Sequence, residues 1–380
     1  MGTTAQKLQA ILDSKEAIRQ SIIAKGVAVS ESVEFDEYNT KISEIPVGSS
    51  GAGTGDYNVK YLDYNGNIIM EKNVDSGESV TPPDPITHDY LIFYGWTKSG
   101  NNITCDKLIG AQYTTVDNKT YAFVTVTVLT GLSPIIYLSN LAEVPLSVDW
   151  GDGTAPDTTS AIGLYNPTHT YDTAGHYLIT ITGASCQLAS TAGALFGALN
   201  YKVILDKIYI SALHTLYTNT FSNHWSLRFV VISYGITLLN GTFNVAKSLS
   251  CAILPNSIID AGPSTFSSAG ALECLVMSSN TVTVKSTFLR FCGALSYIKI
   301  PPLVTLLEDR CLSENQSLLT IEMEPTTPPT MAVTRVFENI PLGARIYVPD
   351  ASLTAYKEAT NWASFANYIY PISLKPLHNE

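Results

Sequence analysis

Charged side chains are scarce in this chain, and most of them are acidic. Only 14% of its 380 residues are Asp, Glu, Lys or Arg, the net charge is −11, and no run of Lys or Arg occurs. Because a surface of that sign repels phosphate backbones, we expect no nucleic-acid partner. The sequence also lacks any stretch near the roughly 18 apolar residues of a membrane span, so we expect no membrane partner.

The N-terminus lacks a secretory signal, which would show an early basic cluster, an apolar core and a small-residue cleavage site. A wall-anchored adhesin normally needs such a signal. Its absence, and the lack of a wall anchor after Pro376, favour display by another route. The six cysteines show no C-x-x-C pairing and no His at metal-ligand spacing. We therefore expect small buried hydrophobes in a chain that folds in a reducing cytoplasm.

Catalytic motifs are missing as well. No G-x-S-x-G elbow, Walker loop or dinucleotide glycine loop occurs. Asp149 and Asp152 are neighbouring carboxylates and thus a candidate acid/base or metal pair. Carboxylates in such a glycine-rich turn more often accept hydrogen bonds from nearby backbone N–H groups. The sequence therefore predicts a protein that is not an enzyme, with no catalytic residue, metal site or cofactor.

One helical pattern precedes the β-rich part of the chain, over residues 4–25. Apolar residues at 3-4 spacing mark a coiled-coil seam, which Lys15 interrupts. The predicted oligomerisation positions are Leu8, Ile11, Ile18 and Ile22. Because a helix of this length is marginal alone, we expect it to pack against copies of itself, as in a trimer, or against a host structure.

The residues after this helix resemble a short motif of phage tail and baseplate proteins. Its acidic, aromatic stretch is matched by Phe35, Tyr38, Lys41 and Ile42. The resemblance implies that residues 1–47 form an anchoring and oligomerisation segment that attaches to other virion or tail proteins.

A glycine- and serine-rich linker at residues 48–55 leads into a strand-like stretch over residues 56–117. Alternation from Tyr57 to Tyr61 indicates a strand, and an Asn-Gly pair supplies a hairpin turn. This stretch resembles the small β-grasp repeat of internalin-B and related bacterial surface proteins. The residues that carry the resemblance are Asn65-Gly66, Gly77-Glu78, Pro82-Pro83 and Gly95-Trp96.

Residues 118–184 contain a sharper pair of motifs. They are Trp150-Gly151-Asp152-Gly153-Thr154 and His169-Thr170-Tyr171. Both resemble the polycystic-kidney-disease (PKD) domain, which implies an immunoglobulin-like β-sandwich with Trp150 in its core. The alternation from Gly175 to Ile181 fits an inward-facing strand of such a sandwich.

A repeat fills residues 185–344. A leucine recurs every 22 or 23 residues, at Leu205, Leu227, Leu249, Leu272, Leu295 and Leu318. A phenylalanine keeps register six or seven residues before a leucine, at Phe221, Phe243, Phe266 and Phe288. Each repeat cannot bury its apolar face alone, whereas a stack makes one continuous core. The pattern resembles the BspA-type leucine-rich repeats of bacterial surface proteins.

The last segment, residues 345–380, resembles the C-terminal cap of those repeat proteins. The resemblance implies that Leu353, Tyr356 and Trp362 lie against the last repeat. The patterns together predict a multidomain, mainly β protein. Its parts are an N-terminal helix, a small β-grasp module, an immunoglobulin-like sandwich and a leucine-rich-repeat solenoid with a helical cap.

Outward-facing residues of the repeat strands form an apolar strip with charge only at its ends. The candidate binding strip consists of Tyr209, Phe229, Val231, Ile253, Val276, Tyr297, Lys299 and Glu322. A contiguous apolar strip usually marks a contact. The alternative, burial against a neighbouring subunit or the preceding domain, is the one we favour, because an open apolar face would be sticky.

These features favour a non-enzymatic receptor-binding or adhesion protein of a virion, associated with its tail fibre or baseplate. Its expected ligand is a bacterial surface glycan or protein, bound through the solenoid and the β modules. Several copies on one particle would give avidity from modest contacts. Two alternatives stay open: an adhesin on the bacterial cell surface, and a structural virion component whose solenoid face is buried in the assembly.

Overall fold

The computed structural model describes Gly55 and residues 57–127, 134–189, 195–196, 203–236 and 239–375. The chain divides into two compact units, Met1–Gly55 and Asp56–Glu380. The predicted oligomerisation helix, with Leu8, Ile11, Ile18 and Ile22, lies outside the described residues, as does the linker apart from Gly55. Within the described ranges, no helix is long and apolar enough to cross a membrane.

The first module is a four-stranded sheet. Its strands are β1 (Tyr57–Leu62), β2 (Ile68–Val74), β3 (Leu91–Trp96) and β4 (Lys107–Thr115). They lie in the order β2-β1-β4-β3, with β1 parallel to β4 and the outer pairs antiparallel. The predicted hairpin turn joins β1 to β2, where Gly66 adopts a φ of +88° that suits glycine. Val59 and Tyr61 are fully buried in the core of the module.

The second module has two sheets around one core. Its strands are β5 (Thr120–Val126), β6 (Leu138–Asn140), β7 (Leu146–Asp149), β8 (Asp157–Thr159), β9 (Gly163–Tyr165), β10 (Gly175–Gly183) and β11 (Cys186–Leu188). One sheet contains β5-β10-β7-β8, and the other contains β11-β6-β9. Trp150 is buried as predicted, and its indole N–H donates to Asp157 Oδ2 at 2.8 Å. The Tyr171 hydroxyl donates to the Trp150 carbonyl, so both motifs hold the same corner.

The repeats form parallel ladders. What we call the main ladder is a row of seven strands in three separately paired groups. They are β12 (Val203–Ile210) with β14 (Phe229–Ile232), β15 (Cys251–Ile253) with β17 (Cys274–Val276), and β19 (Tyr297–Ile300) with β21 (Thr320–Met323) and β23 (Arg345–Val348). Two-residue strands follow them at β13 (Thr215–Leu216), β16 (Asp260–Ala261), β18 (Thr283–Val284), β20 (Leu306–Leu307) and β22 (Thr330–Met331). The six repeat leucines are all fully buried. Phe221, Phe243 and Phe266 stack with ring centroids 5.5–5.6 Å apart, so one hydrophobic column runs through these repeats.

The second module and the solenoid share their sheets. Strand β12 pairs antiparallel with β5 on one side and parallel with β14 on the other. In the second sheet, β11 pairs parallel with β13. Their buried residues form one continuous cluster. The second module therefore covers the first repeat and shields its apolar edge from water.

The C-terminal residues follow the last repeat and pair with its strand. They comprise 3₁₀ turns at Thr334–Phe337, Asp350–Ser352, Ala363–Tyr368 and Ile372–Leu374, helix α1 (Leu353–Glu358) and strand β24 (Ile369–Pro371). Strand β24 pairs with β23. Tyr356 and Trp362 are buried, and they donate hydrogen bonds to the carbonyls of Pro325 at 2.8 Å and Pro329 at 2.7 Å. The Tyr356 hydroxyl and the Trp362 indole N–H thus both have hydrogen-bond partners inside the core.

Candidate binding surface

Parallel register places the strip residues of successive strands on one face of the main ladder. Six of the eight are buried, namely Tyr209, Val231, Ile253, Val276, Lys299 and Glu322. Phe229 and Tyr297 are half-buried. The strip is therefore continuous in space, but most of it is closed to solvent.

The first module covers the middle of the strip. Leu62 and Leu108 pack against Ile253 and Val276 in one apolar cluster. Gly110 allows this approach, because a Cβ built there would lie 2.7 Å from Ile253 Cγ2. Of the interpretations that the sequence leaves open, these contacts match burial against the preceding domain.

Polar contacts fix the same interface. The hydroxyls of Tyr64 and Tyr209 are 2.9 Å apart. The side chains of Asn256 and Ser279 each donate to the Thr97 carbonyl at 2.8 Å. These bonds satisfy groups that docking removes from water, so the interface combines apolar burial with directional contacts.

A cluster of charges, here called the ionic cluster, lies at the C-terminal end of the strip, on β19 and β21. The Lys299 ammonium pairs with Glu322, lies 3.2 Å from Glu324 and donates to the Asp106 carbonyl at 2.5 Å. The Tyr297 hydroxyl donates to Glu322 at 3.0 Å. The charged end that the sequence predicts thus belongs to a buried contact with the first module.

Both ends of the described part of the second unit reach the ionic cluster. Lys375 lies 2.8 Å from Asp106 Oδ2 and 2.8 Å from Glu322 Oε2. The backbone N–H of Asn58 donates to the other oxygen of Asp106 at 2.7 Å. Sequence reasoning missed Asp106 and Lys375, because no local pattern links residues so far apart in the chain.

Pairing keeps these buried groups charged. Burial acts to lower the pKa of Lys299, but the carboxylates of Glu322 and Glu324 hold that pKa well above its ordinary value. Burial acts to raise the pKa of Glu322, yet Lys299 and Lys375 bring it below its usual range. Removing one partner of such a pair leaves an uncompensated buried charge, which is costly.

Beside β12, the first strand of the main ladder, lies an open groove of about 320 Å³. We call it the Lys207 groove, and its lining residues are Phe123, Val124, Thr125, His176, Tyr177, Leu178, Asp206 and Lys207. They come from β5, β10 and β12, which are neighbours in the shared sheet. The sequence predicted the strip that begins at Tyr209 but not this groove, since the boundary drawn between the two modules passes through the groove.

The Lys207 ammonium lies over aromatic rings. Its Nζ is 4.1 Å from the ring centroid of Phe123 and 5.0 Å from that of Tyr209. Burial lowers the pKa of Lys207, against the opposing effect of Asp206 and Asp89. Contacts of this kind contribute about 0.5–2 kcal/mol, depending on how far the cation is desolvated.

Across the groove, the Oγ1 atom of Thr125 lies 2.9 Å from His176 Nδ1. Asp206 is held by Arg228, whose Nη2 donates to Asp206 Oδ2 at 2.9 Å and whose Nε donates to Oδ1. The groove therefore combines a half-buried cation, a hydroxyl and an exposed imidazole with an apolar floor.

The candidate carboxylate pair of the glycine-rich turn has structural contacts. Asp149 accepts from the Gly151 N–H at 2.9 Å. Asp152 accepts from Thr154 and lies 2.6 Å from His169 Nε2. Burial opposes the shift, but these hydrogen bonds lower the pKa of Asp152 to about 2. Both carboxylates thus stabilise the turn.

No metal centre emerges from the described ranges, where no group of three or more His, Cys, Asp or Glu residues could hold an ion. All six cysteines are free. Four of them are buried, whereas Cys105 and Cys274 are half-buried. His214 is also buried, and burial lowers its pKa to about 4 despite the bond to the Gly183 carbonyl.

Residues 205–339 match the BspA type leucine rich repeat region in six copies. The chain therefore contains BspA-type leucine-rich repeats, and the resemblance to repeats of this type is confirmed. A comparison with curated proteins gave no match.

Two solved structures show limited similarity to this chain. A leucine rich cell surface protein from Faecalibacterium prausnitzii A2-165 is 17% identical with a TM-score of 0.29, and the match covers 43% of this chain and 63% of that one. A leucine-rich repeat protein from Bacteroides ovatus ATCC 8483 is 16% identical with a TM-score of 0.29, over 48% and 50% of the two chains. The match thus spans less than two thirds of each structure.

Proposed function

We propose that this chain is a non-enzymatic binding protein that acts in adhesion or recognition outside a bacterial cell. The main support is the shared pair of sheets, which joins the second module to the first repeats, together with the hydrophobic core that continues from there through the other repeats. A rigid scaffold of this kind holds a binding surface in a fixed geometry without needing a catalytic pocket.

Display on the bacterial cell surface is the better supported location. The repeats match the BspA type. Their sequence pattern resembles that of the BspA-type repeats in bacterial surface proteins. Attachment to a virion through a tail or baseplate rests on the N-terminal motif, which lies outside the described residues and which no comparison supports.

The finer module assignments are also proposals. The central parallel pair of β1 and β4 supports a β-grasp-like first module. The buried Trp150 and Tyr171 support an immunoglobulin-like sandwich of the PKD type. The burial of Tyr356 and Trp362 supports a helical cap on the repeats.

We further propose that the ligand is a bacterial surface glycan or protein and that the chain forms a homo-oligomer, such as a trimer, through its N-terminal helix. Repetition of weak contacts would then give avidity. Light scattering on the full chain tests the oligomer. The variant with Ile11→Asp and Ile18→Asp should have the mass of a monomer, and an unchanged mass would contradict a role for the helix.

Antibody labelling tests the location. An antibody against the full chain should label intact cells of the organism that carries the gene. Labelling of purified phage particles alone would support the virion, and labelling of neither would contradict external display. Incubation of the chain with isolated surface glycans tests the absence of catalysis, because any cleaved or altered product would contradict a purely binding role.

A further inference from the structure

Lys207 is a cation with unused hydrogen-bonding capacity. Within the described part of the chain, no hydrogen bond or ion pair joins its ammonium to another residue, and its close neighbours are the rings of Phe123 and Tyr209. The adjacent carboxylate of Asp206 is held through both oxygens by Arg228. An ammonium group has three N–H donors, so Lys207 can bind an incoming acceptor.

The charge around the groove favours a singly charged anion. The chain as a whole carries −11, which disfavours anions over most of its surface. Lys207 is a local exception, but Asp89 and Asp206 both lie near enough to act on it. These carboxylates would repel a doubly charged phosphate, which usually requires a cluster of arginines. A carboxylate is the better match.

The remaining lining residues favour a small, hydroxyl-rich molecule. The volume of about 320 Å³ lies at the lower end of ligand pockets. Leu178 offers apolar surface, while Thr125 and His176 offer polar groups at the groove wall. A pyranose ring presents C–H groups and hydroxyls together, so it can contact both kinds of surface.

We propose that the Lys207 groove binds a carboxylate-bearing sugar residue. Lys207 takes the carboxylate, and Thr125 and His176 hydrogen-bond to the ring hydroxyls. The inference rests on the proposed function, since it assigns a ligand class to a binding protein.

Isothermal titration of the full chain with sodium glucuronate, sodium N-acetylneuraminate and glucose tests this assignment. At least one sugar acid should bind, and Lys207→Gln should weaken that binding about tenfold because a charge-assisted hydrogen bond is lost. Glucose should bind about tenfold more weakly than the sugar acid that binds, for the same reason. The matched control is Lys247→Gln, because the ammonium of Lys247 also lies over an aromatic ring, 4.9 Å from that of Trp225, but outside the groove. This control should bind as the unaltered chain does.

Binding of glucose as tight as that of the bound sugar acid, equal loss in both lysine variants, or no binding of either acid would overturn the proposal. If Lys207→Gln fails to fold, His176→Ala at an exposed position provides the same test, with weaker binding expected. Binding of the chain to intact cells is measured in parallel. Cell binding without sugar-acid binding would refute the groove assignment alone, whereas sugar-acid binding without cell binding would refute the adhesion role alone.

Discussion

Replacing Val276 with lysine tests whether the first module rests on the solenoid in solution. Val276 is 3% exposed and packs in one cluster with Leu62, Leu108 and Ile253. The substitution loses the burial of the valine side chain, about 1.5 kcal/mol. It also places an ammonium without a partner in an apolar contact, which costs several kcal/mol. We expect the free energy of unfolding to fall by about 4 kcal/mol.

A smaller loss would mean that the module lifts off the solenoid, because the new lysine then reaches water. Hydrogen exchange measured by mass spectrometry separates these outcomes, since undocking raises the exchange of amides in β1 and β4 while the solenoid strands stay protected. The matched control is Leu303→Lys on the solenoid, because Leu303 is 52% exposed. Its free energy of unfolding should change by less than about 0.5 kcal/mol.

A Val276→Lys protein that unfolds at the urea concentration of the unaltered chain and keeps its amide protection in β4 would refute the docking of the first module on the solenoid. In that case the strip would be open in solution, and the first module would not cover it.

Two further predictions concern buried charge. Lys299→Met should lower the free energy of unfolding by about 3 kcal/mol, because it removes one of the two lysines that pair with the buried carboxylate of Glu322 and leaves only Lys375. Adding Glu322→Leu should recover part of the loss, because an undercompensated buried charge costs more than an apolar pair. Urea unfolding of both variants measures this, and a double variant less stable than the single one would contradict it. Burial lowers the pKa of His214 from 6.5 to about 4. Between pH 6.5 and pH 4 the unfolded chain therefore binds more protons than the folded chain. The free energy of unfolding should fall as the pH drops through this range, by up to roughly 3 kcal/mol. Glutamine stays neutral, and its amide has an acceptor and a donor for the bonds that His214 makes with Thr120 and Gly183. The urea midpoint of His214→Gln should therefore fall less than that of the unaltered chain from pH 7 to pH 4. An equal fall of the two midpoints would refute this.

The repeat region could be predicted from the sequence because its signal is local and recurs. Leucine and phenylalanine return every 22 or 23 residues, and the strands follow at the same positions in the fold. The outward strip followed from the period of two in a strand. The pairing of Lys299 with Glu322 also had a signal, since opposite charges stand at equivalent positions of adjacent repeats.

The cover over the strip could not be predicted, because it depends on contacts between residues far apart in the chain. One weak signal existed. Gly110 interrupts an otherwise buried strand, and a glycine at such a position often marks the close approach of another segment. The partner, Ile253, had no feature that would identify it.

The boundary drawn between the second module and the solenoid shows a similar limit. Strand β12 has eight residues, whereas β14 has four and β15 has three. The extra length exists because β12 also pairs with β5. The sequence continues with apolar residues before Leu205, at Val203 and Ile204, but nothing in it identifies the second partner strand.

The meeting of Asn58 and Lys375 on the carboxylate of Asp106 has a mechanical consequence. If the chain is held near residue 57 and pulled near residue 375, the shortest path of contacts between these points runs through Asp106 and not along the repeats. The first bonds to carry tension would be the two contacts of that carboxylate. The leucine and phenylalanine column would bear load only after these two contacts break. The repeat strands would therefore lie outside the path of tension between residues 57 and 375.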